Sequence, residues 1–155
     1  MKAGVNVTTE AKLAEFVAAQ DAVYGQVRRE LAAGRKTSHW IWFIFPQVAG
    51  LGFSPMSRKF GLASKEEALS YLKHGVLGPR LRECTQLMLA QPSQAAEAIL
   101  GEIDAMKFRS CMTLFATVDP GESVFQTALD RFFGGDVDAR TIQLLGESGD
   151  GERVP

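Results

Sequence analysis

Apolar side chains recur every three or four positions along most of the chain, the spacing that places them on one face of an α-helix. From Thr9 onward Leu13, Phe16, Val17, Gln20, Tyr24, Val27 and Leu31 keep this rhythm, and Gly34 supplies a stop, so one long first helix is expected. The run from Trp40 to Phe45 is wholly apolar and ends at Pro46. Periodicity cannot separate a buried strand from a buried helix there, but Ser38 can cap a turn starting at His39, which favours a short helix. Ser64 and Glu67 form a capping box that predicts a helix from Lys65 to Lys73. Another is expected from Pro79 to Ala90 with Leu81, Cys84, Leu87 and Met88 facing inward, before Pro92 breaks the chain.

Further along, Ser93 can cap QAAEAIL, which stops at Gly101, and Asp104 can cap AMKFRSCMTLFATV, which stops before Pro120. Val124, Phe125, Ala128, Leu129, Phe132 and Phe133 mark the next helix, and Asp138 can cap a last one through Leu145. No stretch alternates as a strand does, and no tight hairpin turn joins two such runs. The expected fold is all-α: one compact multi-helix domain over residues 9–145 without substantial sheet, followed by a polar, glycine-rich tail at 146–155 expected to be disordered.

Composition narrows the function. The 155 residues are 46% hydrophobic and 23% charged with a net charge of -1, an ordinary globular profile that argues against a general nucleic-acid binder. Cys84 and Cys111 sit among apolar neighbours with no histidine at ligand spacing, which reads as two core thiols and no metal site. The opening MKAGVNVTTEAK lacks a signal-peptide core, and residues 40–45 are too few to span a bilayer, so the expectation is a cytoplasmic protein with no membrane partner.

Two segments carry more polar chemistry than a core needs. Residues 35–47 combine Arg35 and Lys36, which can meet an anion, His39, which can move a proton near neutral pH, Trp40 and Trp42, whose faces can stack a planar ring, and Gln47. The aromatics of this segment could equally belong to the core. Residues 106–115 place Lys107, Arg109 and Ser110 near a helix start, where dipole and free amides favour an anion, although they could also form a solvated face. Gly50 and Gly52 read as loop-shaping residues because the phosphate-loop pattern is incomplete, and His74 reads as complementing a helix C-terminus.

These segments are also where the chain resembles the domain-of-unknown-function family numbered 1810. The resemblance runs nearly full length through FVxAQ at residues 16–20, the stretch at 34–47, GLG at 50–52, VLGxRLxEC at 76–84, MKxRSxMTLF at 106–115 and FFxGxxDxxT at 132–141. Ile41 and Cys111 stand where the family often has Met and Ser. Membership implies a compact, mainly helical domain and brings no reaction, cofactor or catalytic set with it. The label calpastatin sometimes attached to members does not suit a globular composition, since that inhibitor class is disordered.

The leading expectation is a site for an anionic, nucleotide-like small molecule, framed by His39, Trp40, Trp42 and Gln47 on one side and by Lys107, Arg109 and Ser110 on the other. If the site were catalytic, His39 would be its general acid or base and Lys107 or Arg109 would steady developing negative charge. No carboxylate partner stands out by spacing, so enzyme status stays open and no cofactor is named. The competing expectation is a protein-interaction module that uses exposed aromatics, with a homodimer as one form.

Overall fold

A computed structural model of the chain describes residues 7–148. Among them ten helices follow in order: α1 Val7–Asp21, α2 Tyr24–Ala33, α3 Ile41–Ile44, α4 Pro55–Phe60, α5 Lys65–Lys73, α6 Leu77–Leu89, α7 Ala96–Leu100, α8 Glu102–Val118, α9 Ser123–Phe133 and α10 Ala139–Ser148. The fold is all-α, and its extended pairing is a single parallel bridge between Val48 and Leu62 among the described residues. The part of the expected tail from residue 149 onward lies outside the described residues, while 146–148 continue α10.

Two helices organise the rest. α8 packs against α3, α5, α7, α9 and α10, and α6 packs against α1, α2, α3, α5 and α9. The interior between them is aromatic. Phe60, Phe16, Tyr71, Phe115 and Phe125 make a continuous chain of ring contacts, with centroids 5.0, 5.0, 5.7 and 5.6 Å apart, that links α4, α1, α5, α8 and α9. A second chain runs from Trp40 through Phe45 to Phe108, the last pair edge-on at 4.8 Å, a favoured arrangement for ring quadrupoles.

The expected single first helix is two. Val23 N donates to Gln20 O at 3.0 Å, a tightened turn that ends α1, and the chain restarts as α2 along α6. The break goes with Gln20, whose buried amide donates to Phe43 O at 2.7 Å and Tyr71 OH at 3.1 Å and accepts from Arg80. The glutamine inside an otherwise apolar rhythm is therefore the anchor for α3, whose short helical form matches expectation.

Other element boundaries and caps also differ from expectation. α4 was hidden among loop residues, yet its start is a proline at the first turn with Ser54 Oγ accepting from Ser57 N. Ser93 is not a cap: it occupies a left-handed turn at φ 62°, and α7 starts after Ala95. Asp104 is not a cap either, because α8 already starts at Glu102 behind Gly101; its carboxylate lies in the first turn and pairs with Lys36 Nζ at 2.7 Å. Ser38 does not cap α3; its hydroxyl donates to Glu30. His74 follows α5, but its Nδ1 accepts from Val76 N and Leu77 N at 3.0 and 3.2 Å, so it serves the beginning of α6 rather than the dipole of α5. Asp138 does cap α10, accepting from Thr141 N at 3.0 Å.

Candidate functional site

Side chains at 103, 106, 107 and 110 fall three or four residues apart and share one face of α8. Ala105, Phe108, Met112 and Phe115 occupy another face and are buried. The stripe is exposed at Ile103 and Met106 and buried from Ser110 onward, where Thr113 Oγ1 accepts from Asp138 N at 2.9 Å and ties α8 to the start of α10. This face of α8 forms one side of a cleft of about 300 Å³ lined by Gln47, Leu51, Ile103, Met106, Lys107, Arg109, Ser110 and Asp138. The opposite lip is the loop after Pro46, held by Leu62 N donating to Gln47 O and Ala49 N donating to Leu62 O. Gly50 has φ +94°, a conformation that disfavours other residues, and lies against Leu144 of α10.

The groups in this cleft are unequally engaged. Among the described residues the Lys107 ammonium has no anionic partner and the Gln47 side-chain amide has no hydrogen bond. Arg109 is committed: Nε donates to Asp136 O at 2.9 Å and one terminal nitrogen to Val137 O at 2.8 Å, with the Asp136 carboxylate 3.8 Å away. Ser110 Oγ donates to Met106 O at 3.1 Å within its own helix, leaving its lone pairs as the free feature. The walls are apolar: Ile103 is 70% and Met106 67% exposed, unusual for such side chains.

The other residues singled out from sequence lie elsewhere. Trp40 is enclosed completely and belongs to the core, with Lys36 Nζ 5.0 Å above its ring. Its indole N–H donates at 2.9 Å to Glu30, a nearly buried carboxylate that also accepts from Thr37 N, Thr37 Oγ1, Ser38 N, Ser38 Oγ and Gln26 Nε2. Burial pushes the Glu30 carboxyl up, but the donors converging on it, Ser38 foremost, outweigh burial and hold it well below the usual carboxylate range. Trp42 lines a crevice of about 10 Å³ beside Gln47, Gly52 and Ser57, room for little more than one water. Arg35 opens onto a different cleft of about 390 Å³, with Gln26, Arg29, Glu30, Ala33 and Thr37. His39 is exposed and lines neither cleft. The structure therefore brings Gln47 together with Lys107, Arg109 and Ser110 and leaves Arg35, Lys36, His39, Trp40 and Trp42 outside.

Sequence reasoning missed the lining residues Leu51, Ile103, Met106 and, as more than a cap, Asp138. A signal was present: Ile103 and Met106 are apolar yet out of phase with the stripe 105, 108, 112 and 115. Among the described residues no three His, Cys, Asp or Glu side chains gather in a way that could hold a metal ion, and no helix is long and apolar enough to cross a membrane.

An all-helical domain with one partly uncovered face on its central helix is the class that fold and site define. The chain belongs to the family described as Protein of unknown function (DUF1810), whose model matches residues 10–145. It is similar to a solved structure, the conserved hypothetical protein Rv1873 from Mycobacterium tuberculosis, at 47% identity and a TM-score of 0.85 over 86% of this chain and 96% of that one. None of the curated proteins compared with the chain matches it.

Proposed function

We propose that the protein binds a small organic anion in the cleft between the 47–51 loop and α8, with Lys107 as its charge partner and the Gln47 amide as its hydrogen-bond donor. The observation that carries this reading is the pairing of an unneutralised ammonium with an unbonded amide on the lining of one concave site. Of the original expectation, a nucleotide-like ligand stacked on tryptophan loses its support, because Trp40 is enclosed and Trp42 faces a crevice too small for a ring. Catalysis at this site finds little support either, since His39 lies outside it and the Ser110 hydroxyl is engaged by its own helix.

A thermal-shift screen of organic anions against wild type and Lys107→Ala tests the reading. A ligand at one hundred times its Kd stabilises by about 2.7 kcal/mol, roughly 5–10 °C for a chain of this size. Stabilisation that disappears in Lys107→Ala supports the site; no shift with any anion, or a shift the variant keeps, overturns it.

One observation favours a second reading, a protein-interaction face. Phe53, Val137 and Ile142 are exposed alongside Ile103 and Met106 and belong to the segments flanking the cleft. If that face joins two copies, light scattering at rising concentration detects a dimer that Ile103→Asp abolishes; a monomer throughout removes the homodimeric form of this reading.

A further inference from the structure

Resting on the anion-site reading, we infer that the ligand is a monocarboxylate with an aliphatic body, and not a nucleotide or another polyanion. Charge is the first reason. Lys107 is the one cation of the cleft without a partner among the described residues, Arg109 is bound to two carbonyls beside the Asp136 carboxylate, and Asp138 adds a negative charge to the wall. The lining itself carries Lys107 and Arg109 against Asp138, a net of one positive charge, so a single negative charge balances it, whereas a second or third would be left without compensation.

Donor count is the second reason. Lys107 Nζ and the Gln47 amide can each donate to one oxygen of a carboxylate, while the Ser110 proton is already directed at Met106 O. The third is the apolar part of the lining, Leu51, Ile103 and Met106, which includes no aromatic ring. Branched aliphatic and thioether side chains suit a flexible hydrocarbon, and methionine adapts its shape to it. At about 300 Å³ the cleft lies at the small end of the usual ~300–1,000 Å³ for ligand sites, which suits a short amphiphile.

Isothermal titration of the full chain with straight-chain carboxylates from acetate to octanoate, with octylammonium and with ATP, tests the inference. Affinity is expected to rise about two- to fourfold per methylene, the upper figure corresponding to ~0.8 kcal/mol per buried CH₂. Octylammonium and ATP are expected to bind at least tenfold more weakly than octanoate. Ile103→Ser, at an exposed position where folding is not at stake, flattens the chain-length dependence, and Lys107→Gln weakens every carboxylate. A flat chain-length series, octylammonium equal to octanoate, or ATP binding tightly through Lys107 overturns the inference, and the last of these leaves the anion site standing. Absence of binding by every anion overturns both.

Discussion

Glu30 is the point where one substitution reports on the largest share of the local structure. Its Oε1 takes N–H groups from Thr37, Ser38 and Trp40 at 2.9, 3.2 and 2.9 Å, and its Oε2 takes Gln26, Thr37 Oγ1 and Ser38 Oγ at 2.9, 2.9 and 2.6 Å. In Glu30→Ala the Trp40 N–H, on a side chain with no exposed surface, has nothing to replace the carboxylate; such an orphan costs ~1–3 kcal/mol. Gln26 and Thr37 are exposed, so water takes over most of their bonds, and the total comes to about 3–5 kcal/mol. Glu30→Gln keeps an oxygen for the three N–H donors and is expected to lose only about 1–2 kcal/mol. Urea denaturation followed by far-ultraviolet circular dichroism measures both, and a double-mutant cycle with Trp40→Phe isolates the indole bond, with ~1–3 kcal/mol of coupling expected. The sign with pH is fixed by the direction of the shift: a carboxyl lowered on folding stabilises fully above its unfolded value near 4.5, and that stability is lost as pH falls towards the folded value. Below pH 4.5 the difference between wild type and Glu30→Gln therefore shrinks. A Glu30→Ala loss under about 1 kcal/mol, or no coupling to Trp40, refutes the reasoning.

Three further outcomes are expected. A Cβ at Gly78 would sit 2.0 Å from Leu72 O where α6 starts beside α5, so Gly78→Ala must move backbone and is expected to cost ~3 kcal/mol or more in denaturant unfolding. Arg109→Ala frees the carbonyls of Asp136 and Val137, and amide hydrogen exchange is expected to accelerate at residues 134–142 while α6 keeps its protection. Burial pushes the Cys84 thiol up to about 12 and raises Cys111 as well, so a thiol reagent at pH 8 is expected to label neither before unfolding.

How legible these features were depends on whether their cause lies within a few residues. The capping box predicted α5 from Lys65 to Lys73 because Ser64 Oγ meets Glu67 N locally, at 3.1 Å. The Glu67 side chain reaches back locally to Ala63 N at 2.8 Å, but it also does something no local pattern announces: it accepts at 2.8 Å from Lys12 of α1. The α1–α2 break was missed for the same reason, since Gln20 is fixed by Phe43 and Tyr71 far along the chain. At the cleft, the cationic stretch of α8 was visible and so was Gln47, but the aromatic stretch misled. Trp40 carries a polar atom that looked available for a ligand, and only the fold reveals that Glu30 takes it. Ile103 and Met106 were passed over because an apolar residue is assumed to face inward.

Whether a small anion occupies the cleft beside α8 is tested most directly by methyl nuclear magnetic resonance on protein labelled at Ile and Met, titrated with octanoate and separately with AMP. Saturable movement of the Ile103 and Met106 methyl signals is expected with at least one of the two, with little change at buried Ile41, Ile44 and Met88 and loss of the response in Lys107→Gln. Ile103 and Met106 signals that stay still with both probes, or that move equally in Lys107→Gln, would contradict an anion site there.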